Sequence, residues 1–268
     1  MASAGIEQAA LLYQQLESAW NSGNIGVVGQ LLPQMKIILL NLSFLPSSSQ
    51  SGNLDQRELI LARNTLEIGA LWSIQSKEIP SFQRYVAQLK CYYYDYDSLL
   101  QESPFKYQIL GLNLLCLLAE NRLAEFHTEM ELLSVEEQKN MYIKYPIRLE
   151  QFLMEGSFHK VFLDKGNVPA ENYSFFIDIL INTMRDEIAS CAEKAYAQLS
   201  VGEATKTLMI ESHALLMEYA AKRGWKQDPT GQCFLFAKDE TKEDLHFVRN
   251  NELISQALGY ARELEKIV

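Results

Sequence analysis

The 268-residue sequence lacks the residue patterns on which most catalytic and metal sites depend. Its four histidines and four cysteines are scattered singly, with neither the spacing of a zinc site nor a pairing that predicts a disulfide. Phosphate-binding glycine loops and the nucleophile elbow of hydrolases are also missing. We therefore predict a non-catalytic protein that needs no metal or other cofactor. Buried, reduced cysteines are expected, which suits a protein of the cytoplasm and nucleus.

The sequence also lacks an excess of positive charge and any long apolar run. Lys and Arg number 24 against 34 Asp and Glu, which gives a formal net charge of -10. Because nucleic-acid binding needs a concentrated basic surface, this balance argues against it. The longest apolar run, residues 37–45, is interrupted by Asn41 and Ser43 and is too short to cross a bilayer. We expect a soluble, non-secreted protein with no membrane partner.

What the first two thirds of the chain does contain is a series of amphipathic helices, predicted from apolar residues at three- and four-residue spacing. Short polar turns at residues 20–25, 74–79, 118–123 and 153–158 each close one helix and open another. Helical hairpins of this kind stack into a solenoid, so we predict TPR-like repeats. The N-terminal hairpins are assigned to residues 1–76, and further repeats run to about residue 170. The aromatic stretch Tyr92–Tyr96 is either a partner platform or packing between hairpins, and packing is favoured.

Residues 186–237 have the pattern of a winged helix, which is three short helices closed by a β-hairpin. The apolar stripe from Ile188 to Leu199 predicts the first helix, with Cys191 and Tyr196 on its apolar face. Ser200, with a glutamate three residues later, is the signature of a capping box that begins the second helix. The same fold element often binds DNA, but acidic residues are interspersed with its basic ones.

The third helix of this segment is predicted to begin after Ser212 and to end at Gly224, where a left-handed residue is expected. Leu215 is assigned to its buried face. The Pro- and Gly-containing turn at residues 228–231, between two β-prone segments, then predicts the wing.

Residues 249–268 predict a separate C-terminal helix with a coiled-coil type of apolar seam. The seam and the residues that widen it are Leu253, Ile254, Ala257, Leu258, Ala261, Leu264, Ile267 and Val268. Such a helix either folds back on its own domain or lies against helices of other subunits, and composition alone does not favour one over the other.

Several stretches of the sequence resemble PCI-domain proteins, and in particular the family of the smallest PCI subunit of the proteasome lid. The stretches are YVAQLKCYYYDY from Tyr85, LGLNLLCLLAENRLAEFHTEME from Leu110, LEQFLMEGSFHKVF from Leu149, FFIDILINTMRDEIASCAEKAY from Phe175 and YARELEKIV from Tyr260. Together they cover most of the chain from Tyr85 to its end. The resemblance implies a mainly α fold with a PCI domain over residues 77–248, in which helical repeats lead into the winged helix.

The resemblance further implies a scaffold role in the regulatory particle of the 26S proteasome, in lid assembly and lid–base docking for ATP-dependent degradation of ubiquitinated proteins. The implied partners are other PCI subunits and the metalloprotease-fold subunits of the lid, together with the base. It also implies that the C-terminal helix joins an inter-subunit bundle, and that Lys222, Arg223 and Trp225 on the winged-helix edge contact a neighbouring PCI subunit. No small-molecule substrate is expected. The alternative is a small PCI scaffold subunit of the signalosome or of a translation-initiation complex.

Overall fold

A computed structural model describes residues 2–40, 56–96, 99–210, 212–228, 231–236 and 244–266. These residues form a mainly α-helical protein with a small antiparallel sheet, which confirms the predicted fold class. The helices are α1 (Ala2–Asn21), α2 (Ile25–Leu40), α3 (Gln56–Gln75), α4 (Ile79–Tyr94), α5 (Lys106–Ala119), α6 (Leu123–Glu131), α7 (Met141–Met154), α8 (Phe158–Asp164), α9 (Glu171–Ala195), α10 (Val201–Thr207), α11 (His213–Arg223) and α12 (Asp244–Glu265). The strands are β1 (Gln198–Ser200), β2 (Lys226–Gln227) and β3 (Cys233–Leu235).

The chain divides into two compact units, Met1–Met184 and Arg185–Val268, which are described separately below. The first contains α1 to α8 and most of α9, and the second contains the last turns of α9 and everything after them. The domain boundaries expected at residues 76/77 and 248/249 stay predictions.

The four turns expected between helices in the first unit are present, and they share one geometry. The backbone φ is positive at one residue of each turn: 72° at Gly23, 60° at Lys77, 59° at Asn121 and 69° at Gly156. In each turn the N–H of the next residue donates to the carbonyl five residues earlier, at 2.9 to 3.0 Å. This is the Schellman motif, which satisfies carbonyl groups that a helix end leaves free. Each hairpin is therefore closed by backbone hydrogen bonds of its own.

Helix α5 lies at the centre of the first unit, where twelve of its fourteen residues are buried. A helix that is apolar on all sides must be surrounded by other elements, and α5 contacts α4, α6 and α7. Gly111 permits this close packing, because a Cβ atom there would lie 2.5 Å from the carbonyl oxygen of Tyr142 in α7. The fully buried Tyr173 of α9 shares its hydroxyl proton between the carbonyl oxygens of Gln108 (3.2 Å) and Tyr142 (3.3 Å). Three helices are thereby fixed around one glycine.

A charged cluster lies buried beside this core. The Glu67 side chain accepts hydrogen bonds from the Tyr93 and Ser103 hydroxyls, each at 2.8 Å, and its carboxylate lies 3.7 Å from Nε of Arg63. Arg63 in turn donates to the carbonyl oxygen of Gln101 at 2.5 Å. Burial raises the pKa of Glu67, and the two hydroxyl donors and the guanidinium only partly oppose that rise. The desolvation of this carboxylate thus destabilises its charged form by more than its three partners stabilise it.

The second unit contains the expected winged helix. Its sheet has the order β1-β3-β2, with both pairs antiparallel, and β3 lies in the middle. Phe234 of β3 pairs with Leu199 of β1 and with Gln227 of β2, and its side chain is fully buried. The buried side chains packed together here are Ala189, Leu199, Ala204, Leu208, Ile210, Leu216, Ala220 and Phe234.

The caps of the winged helix follow the sequence prediction at two of three positions. Ser200 Oγ accepts from the Glu203 N–H at 3.2 Å and donates to the Glu203 carboxylate at 2.9 Å, so the carboxylate binds the hydroxyl and not a backbone N–H. Gly224 ends α11 with φ of 76°. Ser212 precedes α11, but its side chain makes no capping hydrogen bond.

The prediction for the first helix of the winged helix was wrong at the C-terminal end of that helix. The chain leaves α9 at Ala195, and Leu199 lies in β1 because it pairs with Phe234, so sheet pairing outweighs the local helical spacing. Cys191 and Tyr196 are exposed, not buried. Leu215 was also assigned wrongly to a buried face, since its side chain is 59% exposed.

The other expectations for buried side chains have a mixed outcome. All four cysteines are free, but only Cys116 is buried. Tyr92 and Tyr93 are buried in the core of the first unit, which confirms packing for these two members of the aromatic stretch.

Candidate interaction surfaces

Helix α12 presents the predicted apolar seam, and its described residues are exposed in the part of the chain that the structure describes. The exposed fractions are 61% for Leu253, 57% for Ile254, 58% for Leu258 and 49% for Leu264. Ala257 and Ala261, which lie between them on the same face, are exposed as well. Ile267 and Val268, the last two residues predicted for this seam, lie outside the described residues. The helix begins at Asp244, five residues before the start expected from the sequence.

The geometry of α12 gathers these side chains into one stripe. At 100° per residue, the six described seam residues cover an arc of about 140°, which is wider than the two-position seam of a dimeric coiled coil. From Glu252 onward the face opposite the stripe is polar, with Glu263 and Lys266 paired at 2.7 Å. A stripe of this width can contact two neighbouring helices at once, as in a helical bundle.

The winged-helix edge is arranged differently, because two of its three predicted residues bind their own domain. The Arg223 guanidinium donates to the Asp186 backbone carbonyl at 2.9 Å and forms ion pairs with the carboxylates of Asp186 (3.3 Å) and Glu193 (3.1 Å). The indole N–H of Trp225 donates to the same Glu193 carboxylate at 2.6 Å. Lys222, in contrast, is exposed. Arg223 and Trp225 therefore fasten α11 to α9 and leave Lys222 as the exposed cation of the predicted set.

Aromatic rings also pack around Trp225 at this edge. The Trp225 ring packs edge-on against Tyr219, Phe234 and Phe236, with ring centroids 5.2 to 6.1 Å apart. The Tyr219 hydroxyl donates to Asp186 at 2.6 Å, and burial together with this hydrogen bond raises the pKa of Tyr219 to about 12. A shallow groove of about 210 Å³ runs beside Trp225 and Arg223. The side chains of Trp225 and Arg223 beside the groove are thus held by ring contacts, hydrogen bonds and ion pairs.

Sequence reasoning missed the acidic partners of Arg223. A signal was present, because Asp186 and Glu193 are seven residues apart and so lie on one face of α9 two turns from each other. The spacing alone does not show that α11 lies against this face.

Two further observations concern metal binding and membrane-spanning helices. No group of three His, Cys, Asp or Glu side chains that could hold a metal ion occurs within the described ranges. None of the described helices is long and apolar enough to cross a membrane.

Comparison with known proteins gives a family match and relatives along most of the chain. The model of the CSN8/PSMD8/EIF3K family matches residues 104–244. The 26S proteasome non-ATPase regulatory subunit 8 homolog A of Arabidopsis thaliana is 35% identical over 256 residues, which are 96% of each chain. The 26S proteasome regulatory subunit RPN12 of Saccharomyces cerevisiae is 31% identical over 97% of this chain and 98% of its own. The corresponding rpn12 of Schizosaccharomyces pombe is 36% identical over 84% of this chain and 86% of its own.

Proposed function

The chain belongs to the CSN8/PSMD8/EIF3K family, and from this premise we propose that it is a non-catalytic structural subunit of the 26S proteasome regulatory particle. In this proposal it acts in the cytoplasm and nucleus, in assembly of the lid and its docking on the base. Its partners are the other PCI subunits, the metalloprotease-fold subunits of the lid, and the base.

The relatives favour the proteasome over the other two complexes in which such subunits occur. Three of them, from a plant and two yeasts, carry names of 26S proteasome regulatory subunits, and they align with 84 to 97% of this chain. The plant relative is named a non-ATPase subunit, which agrees with a scaffold that performs no chemistry itself.

The observation that carries the assembly role is the exposed stripe of α12. Fully burying a Leu or Ile side chain contributes about 1.5 to 3 kcal/mol, and each of four large side chains of the stripe is 49 to 61% exposed. Covering the exposed part of these side chains would therefore contribute roughly 3 to 7 kcal/mol in total before the costs of association are subtracted. That amount can decide whether a subunit stays in a complex.

The winged helix supports the role in a second way. Since Arg223 and Trp225 hold α11 and the wing rigidly on α9, the exposed Lys222 and the neighbouring groove have fixed positions. A rigid surface pays little conformational entropy on binding, which suits a side-by-side contact between PCI subunits.

A tagged chain expressed in its own cells tests the proposal. Leu258→Asp places a charge in the stripe and is expected to prevent recovery of the lid, while the circular dichroism spectrum and melting temperature stay unchanged. Gln256→Asp on the opposite face of α12 introduces the same side chain and is expected to leave recovery intact. The co-purifying subunits are identified by mass, and ATP-dependent peptidase activity is assayed in the eluate.

Normal incorporation of Leu258→Asp would refute the assembly role of the stripe, as would an equal loss with Gln256→Asp. Recovery of signalosome or initiation-complex subunits with the unchanged chain would move the scaffold to one of those complexes and refute the proteasome assignment.

A further inference from the structure

A cavity of about 270 Å³ lies in the first unit between α1, α3 and the segment that precedes α5. Its lining residues include the aromatic Tyr13, Trp20 and Phe105 and the acidic Glu17 and Glu67. Pockets for drug-sized ligands usually measure roughly 300 to 1,000 Å³. This cavity is smaller and fits one amino-acid side chain or a molecule of similar size.

The charges that line the cavity favour a cation. Besides these two acidic residues, the described residues of the lining include one cationic side chain, Arg63. Its guanidinium is already engaged, because it donates to the Gln101 carbonyl and to Asn64 Oδ1 and pairs with Glu67. When Glu67 is ionised, the lining therefore has a net negative charge. Glu67 also keeps spare acceptor capacity, since a carboxylate can accept about four hydrogen bonds and hydroxyl groups supply two.

The aromatic part of the lining suits the same kind of ligand. The face of an aromatic ring carries partial negative charge and attracts ammonium and guanidinium groups. The pKa of Tyr13 is raised, first by burial and then by the nearby Glu17. Glu17 is exposed and Phe105 is 40% exposed, which gives the cavity an open mouth with a carboxylate beside it.

We propose that this cavity binds a cation on an alkyl stem, namely a protonated alkylamine or a guanidinium such as the end of a lysine or arginine side chain. The stem packs against the rings, and the cationic end faces the carboxylates. An anion would be repelled by Glu17 and Glu67, and a neutral apolar ligand would desolvate Glu17 without replacing its hydrogen bonds to water. The inference is independent of the proposed proteasome role.

The 268-residue chain labelled with 5-fluorotryptophan provides the test. It contains three tryptophans, Trp20, Trp72 and Trp225, and only Trp20 lines the cavity. Titration with agmatine and with n-butylamine is expected to shift the Trp20 fluorine resonance saturably, and the other two resonances much less. The neutral analogue N-butylacetamide is expected to cause no saturable shift, and added salt is expected to weaken the binding of the cations.

Matched substitutions make the result specific to the cavity. Glu17→Lys is expected to weaken agmatine binding at least about tenfold, because it replaces an attractive charge at the mouth by a repulsive one. Glu131→Lys makes the same charge change on an exposed glutamate of α6 outside the cavity and is expected to have little effect. Phe105→Ala is expected to weaken binding about two- to fivefold.

A third titration distinguishes the source of the cation. A pentapeptide with one central lysine or arginine that binds at least tenfold more tightly than the free amine assigns the cavity to a protein side chain, whereas tighter binding of the free amine assigns it to a small molecule. The proposal is overturned if no cation produces saturation, if N-butylacetamide binds equally well, or if Glu17→Lys and Glu131→Lys have the same effect.

Discussion

Glu67→Gln and Glu67→Ala are expected to destabilise the first unit by very different amounts. Glutamine keeps an oxygen that can accept from Tyr93 or Ser103 and removes a charge whose burial is unfavourable, so its cost is about 1 kcal/mol. Alanine leaves two buried hydroxyl groups without their acceptor and Arg63 without its carboxylate, which costs about 3 to 5 kcal/mol. Comparing the destabilisation by the two variants therefore separates the contribution of the hydrogen bonds from the unfavourable burial of the charge.

The raised pKa of Glu67 also predicts how the difference in stability between the wild type and Glu67→Gln depends on pH. Between the pKa of the unfolded chain, near 4.5, and the higher pKa of the folded chain, the folded state holds a proton that the unfolded state has lost. The free energy of unfolding of the wild type therefore falls, relative to Glu67→Gln, as pH rises through this window. The slope cannot exceed about 1.4 kcal/mol per pH unit for one group.

Urea unfolding followed by circular dichroism at several pH values from 4 to 8 measures both effects, and Glu131→Gln serves as the control for the loss of one exposed carboxylate. A wild type that gains stability over Glu67→Gln as pH rises would show that Arg63 and the hydroxyl donors outweigh burial, and would refute the reasoning. Equal costs for the glutamine and alanine variants would refute the ordering of the two contributions.

Two further predictions concern packing and the winged helix. Gly111→Ala is expected to cost about 1 to 3 kcal/mol in urea unfolding, because its Cβ would meet the carbonyl of Tyr142, whereas Gly26→Ala, with open space around it, is expected to stabilise by up to about 1 kcal/mol. Equal effects would contradict the close contact between α5 and α7. Arg223→Glu is expected to lower the melting temperature and to change Trp225 fluorescence, while Lys222→Glu is expected to leave both unchanged and to weaken only binding to a neighbouring subunit. Salt-dependent RNA binding by the unchanged chain would contradict this assignment of Lys222.

The helical part of the fold could be predicted from sequence because its signals are local. Each hairpin has an apolar period on both sides of a short polar turn, and the hydrogen bonds that close the turn join residues at most five apart. The same holds for Gly224 and Ser200 at the ends of helices in the winged helix. Nothing outside the segment was needed to place these features.

The parts that could not be predicted depend on contacts between distant residues. Strand β1 is three residues long and exists because Leu199 meets Phe234, thirty-five positions later. The hydrogen bonds that the buried Glu67 accepts come from hydroxyl groups on α4 and on the segment before α5. Whether Arg223 is available to a partner or is paired with carboxylates of its own domain likewise depends on where α9 lies. A periodic sequence pattern contains no information on that position.

The turns of this protein also explain why its repeats are hard to recognise by residue identity. In these turns the N–H of the residue with positive φ donates to the carbonyl three residues earlier, and the N–H of the next residue donates to the carbonyl five residues earlier. This pair of hydrogen bonds occurs with glycine at positions 23, 156 and 224, with lysine at 77, asparagine at 121 and methionine at 209, each in the left-handed conformation. Glycine is the least strained choice, so each other residue accepts a cost of about 1 kcal/mol that the surrounding helices offset. The turn is thus defined by a hydrogen-bond pattern that several amino acids can adopt. A helical hairpin of this kind can therefore keep its structure when the residue at its turn changes, so sequence identity is a weak guide to the repeats.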